Sequence, residues 1–156
     1  MSDVLPDTGR VIGLHVLSAH GERPQPRAEV RALLGQGLEG DVHGKGRAAG
    51  TGRQVLLMDR QTLEASGLGP GDLREQVTVE FEALERLPVG TRLRVGGAVL
   101  EVTGPCEPCT HIGKLNGRSD VVEFKKSLEG RRGQLAKVVV VDGDEMIRVG
   151  DPVRRA

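Results

Sequence analysis

The chain has no tryptophan and no tyrosine, and its only phenylalanines are Phe81 and Phe124. The aromatic platforms on which single-stranded bases stack are therefore missing. An excess of one charge is missing too: Lys and Arg number 22, Asp and Glu number 22, and the formal net charge is zero. Without a basic excess there is no general electrostatic case for a polyanion, so no nucleic-acid partner is expected. No apolar run approaches the roughly 18 residues that cross a bilayer. The first ten residues, MSDVLPDTGR, have neither the basic nor the apolar part of a secretory signal. A cytoplasmic protein without a membrane partner is expected. Cysteine is scarce, with Cys106 and Cys109 alone. In a cytosolic chain such a pair reads as thiols rather than as a structural disulfide.

What is present is glycine, 23 residues, with 8 prolines in a chain of 156. The length suits a single domain over 1–156 with a genuine core, preceded by a loose segment over 1–9. The glycines and prolines cut the chain into short pieces that read as strands: 10–18, 53–59 and 75–81, the last with Val77 and Val79 on one face. Residues 91–104, TRLRVGGAVLEVTG, form the clearest hairpin, with Gly96-Gly97 as a two-residue turn. Residues 134–155 read as a buried strand, a tight turn around Asp142-Gly143 and a final strand. Gly-Asp-Pro at 150–152 places a turn before a closing edge segment. Helices are expected over 59–66 and 119–130, the second with Ser119 as its N-cap and Val121, Phe124, Lys125 and Leu128 on one face. The expected fold is mainly β, a small closed or partly closed barrel with two or three short helices.

Residues 37–53, GLEGDVHGKGRAAGTGR, combine six glycines with Asp41, His43, Lys45, Arg47 and Arg53. Glycines let backbone amides approach an anion closely, and Lys and Arg add charge. The stretch reads as a cradle for a phosphate-bearing small molecule, or as a solvated surface loop. It is not a P-loop: Glu39 stands where the first glycine is needed, and Gly46 stands where Ser or Thr would follow the lysine. Its length favours function or disorder over a plain connector.

Residues 106–109 are Cys-Glu-Pro-Cys, followed by His111. A structural zinc site needs four ligands, and no second CxxC or HxxxH completes the set. A thioredoxin-type dithiol needs a strand-to-helix junction, and no helical pattern follows Cys109. A single reactive thiolate is the third reading, able to carry sulfane sulfur or to bind a soft metal such as molybdenum. Two inert buried cysteines are the fourth.

Taken in order, the stretches GLEGDVHGK (37–45), RQVLL (53–57), LREQVTVE (73–80), LPVGTRLRVGGAVLEVTGPCEPC (87–109), GRRGQLAKVVV (130–140) and IRVGDPV (147–153) resemble a MOSC domain. That is the module named for the C-terminal part of molybdenum cofactor sulfurases. The resemblance implies a barrel-rich fold and one key cysteine, which maps onto Cys109. In related enzymes that reduce N-hydroxylated compounds the equivalent cysteine ligates molybdenum. In the sulfurases the domain holds the cofactor and receives sulfur. Arg74 and Gln76 stand where the family usually has an Arg and an Asn near the pterin, with Gln76 one methylene longer. The chain has no candidate pyridoxal-phosphate desulfurase domain, and only about ten residues precede its first expected strand. It therefore resembles a free-standing MOSC domain, a carrier or transfer module more than a complete redox enzyme.

The resulting expectation is binding of a molybdopterin-type molybdenum cofactor between the glycine-rich loop and the cysteine segment. Cys109 would act as metal ligand or sulfur carrier. Lys45, Arg53 and Arg74 would neutralise the phosphate, His43 would orient the loop or hydrogen-bond the cofactor, and Gln76 would contact the pterin. The partner would be a cysteine desulfurase or an electron-transfer protein. Two alternatives stand beside it: a non-catalytic zinc- or thiol-based interaction module, and a component of a reductase for N-hydroxylated bases.

Overall fold

The computed structural model describes residues 8–19, 22–42, 51–106 and 116–156. Its strands are β1 (Thr8–Val16), β2 (Gln25–Arg27), β3 (Glu29–Leu33), β4 (Gly37–Leu38), β5 (Val55–Asp59), β6 (Val77–Glu80), β7 (Arg92–Val95), β8 (Ala98–Pro105), β9 (Gln134–Val141), β10 (Met146–Arg148) and β11 (Pro152–Arg155). Two short helices are α1 (Arg60–Ala65) and α2 (Val121–Ser127).

Seven strands close into a barrel in the order β1-β6-β5-β9-β8-β7-β11, with β11 pairing back onto β1. Closure leaves no row of open backbone groups along the barrel wall. β2 adds to the second half of β1, and β10, β3 and β4 make a separate small sheet. The barrel is mixed because β5 and β6 run parallel while the other barrel pairs are antiparallel. A parallel pair needs a crossover rather than a tight turn. Here the crossover spans 60–76 and carries α1. Asp59 starts that helix, accepting from the Gln61 amide at 3.2 Å, and it also accepts from the Phe81 amide at 2.8 Å. One side chain thus joins the end of β5 to the residue after β6.

The alternation of β5 explains the second layer. Val55 and Leu57 point into the barrel core with Leu14, Val77, Phe81 and Leu100. Met58 points outward and packs with Leu63, Leu73, Phe124 and Leu128, with Leu68 against them. Because both faces are covered, all five residues of β5 are buried and the stretch reads as an unbroken apolar run. Each fully buried leucine contributes about 1.5 to 3 kcal/mol. Phe124 therefore anchors α2 to the barrel, and the Arg118 guanidinium covers its ring at 4.7 Å.

The expected hairpin is present, with Val95 opposite Ala98 across Gly96-Gly97. β1 begins at Thr8, two residues before its expected start. Asp120 rather than Ser119 caps α2, accepting from the Glu123 amide at 2.9 Å. After the turn near Asp142-Gly143 the expected strand is present as β10, which pairs with β3. One further expectation needs correction. The last segment is not an edge: β11 lies between β7 and β1 and closes the barrel. Pro152 is tolerated there because it is the first residue of its strand, opposite Arg10. No helix among the described residues is long and apolar enough to cross a membrane.

Candidate functional site

Three of the residues singled out in the sequence, His43, Lys45 and Cys109, lie outside the described residues, as does His111. The chain on either side of them is described, and it converges. Before the glycine-rich stretch, the Val42 amide donates to the Leu17 carbonyl at 2.7 Å, and the Leu17 amide donates to Asp41 Oδ1 at 2.7 Å. After it, the Thr103 hydroxyl on β8 donates to the Gly52 carbonyl. Three residues further along the chain, just past the end of β8, the Cys106 amide donates to the Gly133 carbonyl at 3.0 Å. Beyond the cysteine segment, the Asn116 side-chain amide donates to the Asp72 carbonyl at 2.8 Å. The cysteine segment is thus tied at one end beside residue 133 and at the other beside residues 72–74.

Arg74 stands in that second place. It is half-buried, and it holds a left-handed backbone, φ 63°, that non-glycine residues seldom adopt. Its Nη1 donates to the Glu22 carbonyl at 2.7 Å. Burial, and after it the nearby Arg132 charge, push the Arg74 pKa down, while Asp41 opposes them.

Gln76 is buried, 3% exposed. Its Oε1 accepts from the Leu56 amide at 2.7 Å, and its Nε2 donates to Asp41 Oδ2 at 3.2 Å. The extra methylene relative to asparagine lets one side chain join β5 to the base of the glycine-rich stretch. Asp41, 1% exposed, does more than close a local turn, since it holds both Leu17 and Gln76. Arg53 is exposed, and its backbone amide donates to the Thr51 hydroxyl at 3.1 Å.

The residue that sequence reasoning passed over is Arg132. It is only 7% exposed, and its Nε and Nη1 atoms find no hydrogen-bond partner. A buried guanidinium without partners is costly, because water is lost and nothing replaces it. Neighbouring Glu85 offers only weak compensation. Burial pushes its carboxyl up to about 7, Asp59 adds to that push, and the Gly133 amide at 2.9 Å and Arg132 oppose it. Near neutral pH much of Glu85 is therefore uncharged. Several other arginines are paired with carboxylates: Arg10 and Arg60 meet Glu80 at 3.0 and 2.8 Å, although Arg60 Nε itself has no hydrogen-bond partner, and Arg148 meets Glu29 at 3.0 Å and Asp144 at 2.6 Å. A sequence clue did exist. Gly130 and Gly133 bracket Arg131-Arg132 directly before β9, and at Gly133 a Cβ would collide with the Leu57 carbonyl oxygen.

His15 is a second orphan. Its Nδ1 is buried without a partner, and burial lowers its pKa against the pull of Asp72. Among the described residues, no group of three or more His, Cys, Asp or Glu side chains is placed to hold a metal ion. Among the described residues, two surface depressions, one lined by Arg10 and Glu80 and the other by Glu29, Arg31 and Glu39, contain paired charges. Arg132, with two unused donor nitrogens, and the half-buried Arg74 lie beside the two anchored ends of the cysteine segment, at Cys106 and Asn116.

The sequence profile of the MOSC domain matches residues 46–154. No curated protein sequence matches this chain. Among solved structures, the fold is similar to the YuaD protein from Bacillus subtilis, with 20% identity over 94% of both chains and a TM-score of 0.78. It is also similar to YiiM from Escherichia coli, with 18% identity over 97% of this chain and 70% of that one, TM-score 0.66. YiiM from Geobacillus stearothermophilus gives 16% identity over 95% and 75%, TM-score 0.68. At these identities the likeness concerns the fold.

Proposed function

The chain belongs to the MOSC domain family, and on that premise we propose that it binds a molybdopterin-type molybdenum cofactor. In this reading Cys109 is the thiolate that ligates the metal or carries sulfane sulfur. The observation that carries the reading is the anchoring of the cysteine segment. Cys106 is bonded to Gly133, next to the unpartnered Arg132, and Asn116 is bonded to Asp72, two residues from Arg74. A thiolate and nearby guanidinium groups together suit a ligand with a soft metal at one end and a phosphate at the other.

The residues present fit such a ligand, since the orphaned donors of Arg132 ask for an anion. Arg74, Arg53 and Lys45 would hold the anionic part, and His43 would hydrogen-bond or orient the loop above it. Gln76 would act from beneath, through its bond to Asp41 at the base of the glycine-rich stretch. Bound cofactor would supply molybdenum redox chemistry or a site for exchangeable sulfur. The chain's own contribution is to bind it, fix its orientation and present one thiolate. Sulfur transfer would require a cysteine desulfurase as partner, and reduction of N-hydroxylated bases would require an electron-transfer protein.

The test is elemental analysis of protein purified without chelators from cells that make the cofactor. Molybdenum in the native protein and its loss in Cys109→Ser, with the fold unchanged, is the expected result. Zinc at one per chain would instead support the interaction-module alternative. Molybdenum retained in Cys109→Ser would remove Cys109 from its assigned role.

A further inference from the structure

Arg132 is the most anomalous charged group among the described residues. It sits in the turn after α2, with Arg131 bonded through its amide to the Leu128 carbonyl at 2.9 Å. Gly133 presses the backbone against β5; its amide donates to Glu85 and its carbonyl accepts from the Cys106 amide. The guanidinium is therefore held in place by its backbone while two of its donor nitrogens remain unused. The charged groups around it are Arg74 from the loop before β6 and Glu85 from the turn after β6, with Asp59 at the end of β5 behind Glu85. Asp41 faces Arg74 and is already bonded to Leu17 and Gln76.

Two neighbouring guanidinium groups repel each other unless an anion lies between them or against both. Unused donors on a buried fork ask for an acceptor with several oxygens, which a tetrahedral oxyanion supplies better than a carboxylate. We propose that Arg132, with Arg74 beside it, is the receptor for a dianionic tetrahedral oxyanion, a phosphomonoester or sulfate group. For its biological ligand this rests on the proposed function, where it identifies the anchor of the anionic end. As a binding site it stands on Arg132 alone. A guanidinium kept only for stability would have its hydrogen bonds made within the fold. Arg132 does not, so its charge is held ready for a ligand.

The experiment titrates the purified, cofactor-free full chain with sulfate at pH 6.5 and follows the Nε–H resonances of the arginine side chains by NMR. Sulfate keeps its charge throughout the neutral range, so its own ionisation does not enter. The proposal expects a saturable shift of the Arg132 signal, a smaller one for Arg74, and at least a tenfold weaker affinity in Arg132→Met. Arg132→Lys should retain part of the binding. A parallel titration with phenyl phosphate separates the sources: tighter binding than sulfate marks an organic phosphate, and equal binding marks a free oxyanion. An Arg132 signal unmoved by both anions overturns the proposal, as does undiminished binding in Arg132→Met. Should the methionine variant fail to fold, the lysine variant and the native titration decide. Anion binding without molybdenum loading would sink the cofactor reading and leave this site standing. Molybdenum loading without anion binding would do the reverse.

Discussion

Replacing Glu85 by glutamine should leave stability nearly unchanged at pH 5 and raise it at pH 8. Glu85 lies in the turn after β6, where its Oε1 accepts from the Gly133 amide at 2.9 Å. Burial is the largest influence on the carboxyl and raises its pKa from 4.5 to about 7, with Asp59 acting in the same direction and Arg132 against it. A carboxyl pKa raised on folding means that the native state holds its proton more tightly than the unfolded chain. Its contribution is fully present below pH 4.5 and is lost as pH rises through about 7. Linkage puts the full loss at about 3 kcal/mol, and partial exposure of the group reduces this to about 1 to 2 kcal/mol. Glutamine keeps an oxygen for the Gly133 amide and never ionises. The assay is urea unfolding of both proteins at intervals between pH 5 and 8. The variant should gain about 1 to 2 kcal/mol on the native protein across that window. A flat difference would refute the raised pKa. A native protein that becomes the more stable partner at pH 8 would show that Glu85 serves Arg132 as an ionised counter-charge, and that burial is not the dominant influence on its carboxyl.

The same carboxyl should compete with an anion for Arg132. Sulfate affinity should fall as pH rises through about 7 in the native protein and stay level in Glu85→Gln, read by the same NMR titration. Gln76→Leu removes the partners of the Leu56 amide and of Asp41 Oδ2 in a buried setting, and should cost about 2 to 4 kcal/mol in urea unfolding. Gly133→Ala meets both a left-handed backbone, φ 92°, and a collision with the Leu57 carbonyl oxygen. It should lower Tm by an amount equivalent to about 2 to 4 kcal/mol, while Gly143→Ala, in open space, should cost about 1 kcal/mol.

The barrel was legible where local patterns decide. The 92–105 hairpin follows from alternation around two glycines, and the start of α1 follows from Asp59 ahead of an apolar face. Long-range pairing was not legible. Nothing local in residues 146–148 says that they pair with β3 rather than back onto β9. Nor does Pro152-Val153 reveal that it will close a barrel between two distant strands. The site divides in the same way. Arg74 and Gln76 stood out through the resemblance to the family, but Gln76's bonds to β5 and Asp41 depend on tertiary packing. Arg132 carried no reading in the sequence, because its burial is a product of tertiary packing, and burial is what makes its charge informative.

Native mass spectrometry of the chain, purified from cells that make the cofactor, tests the central claim most directly, because it weighs metal, organic cofactor and sulfur on the same molecule. The account predicts an added mass containing molybdenum and a phosphorylated pterin, absent from Cys109→Ser and weakened in Arg132→Met. A chain that flies at its bare mass under those conditions, or that carries zinc alone, would contradict it.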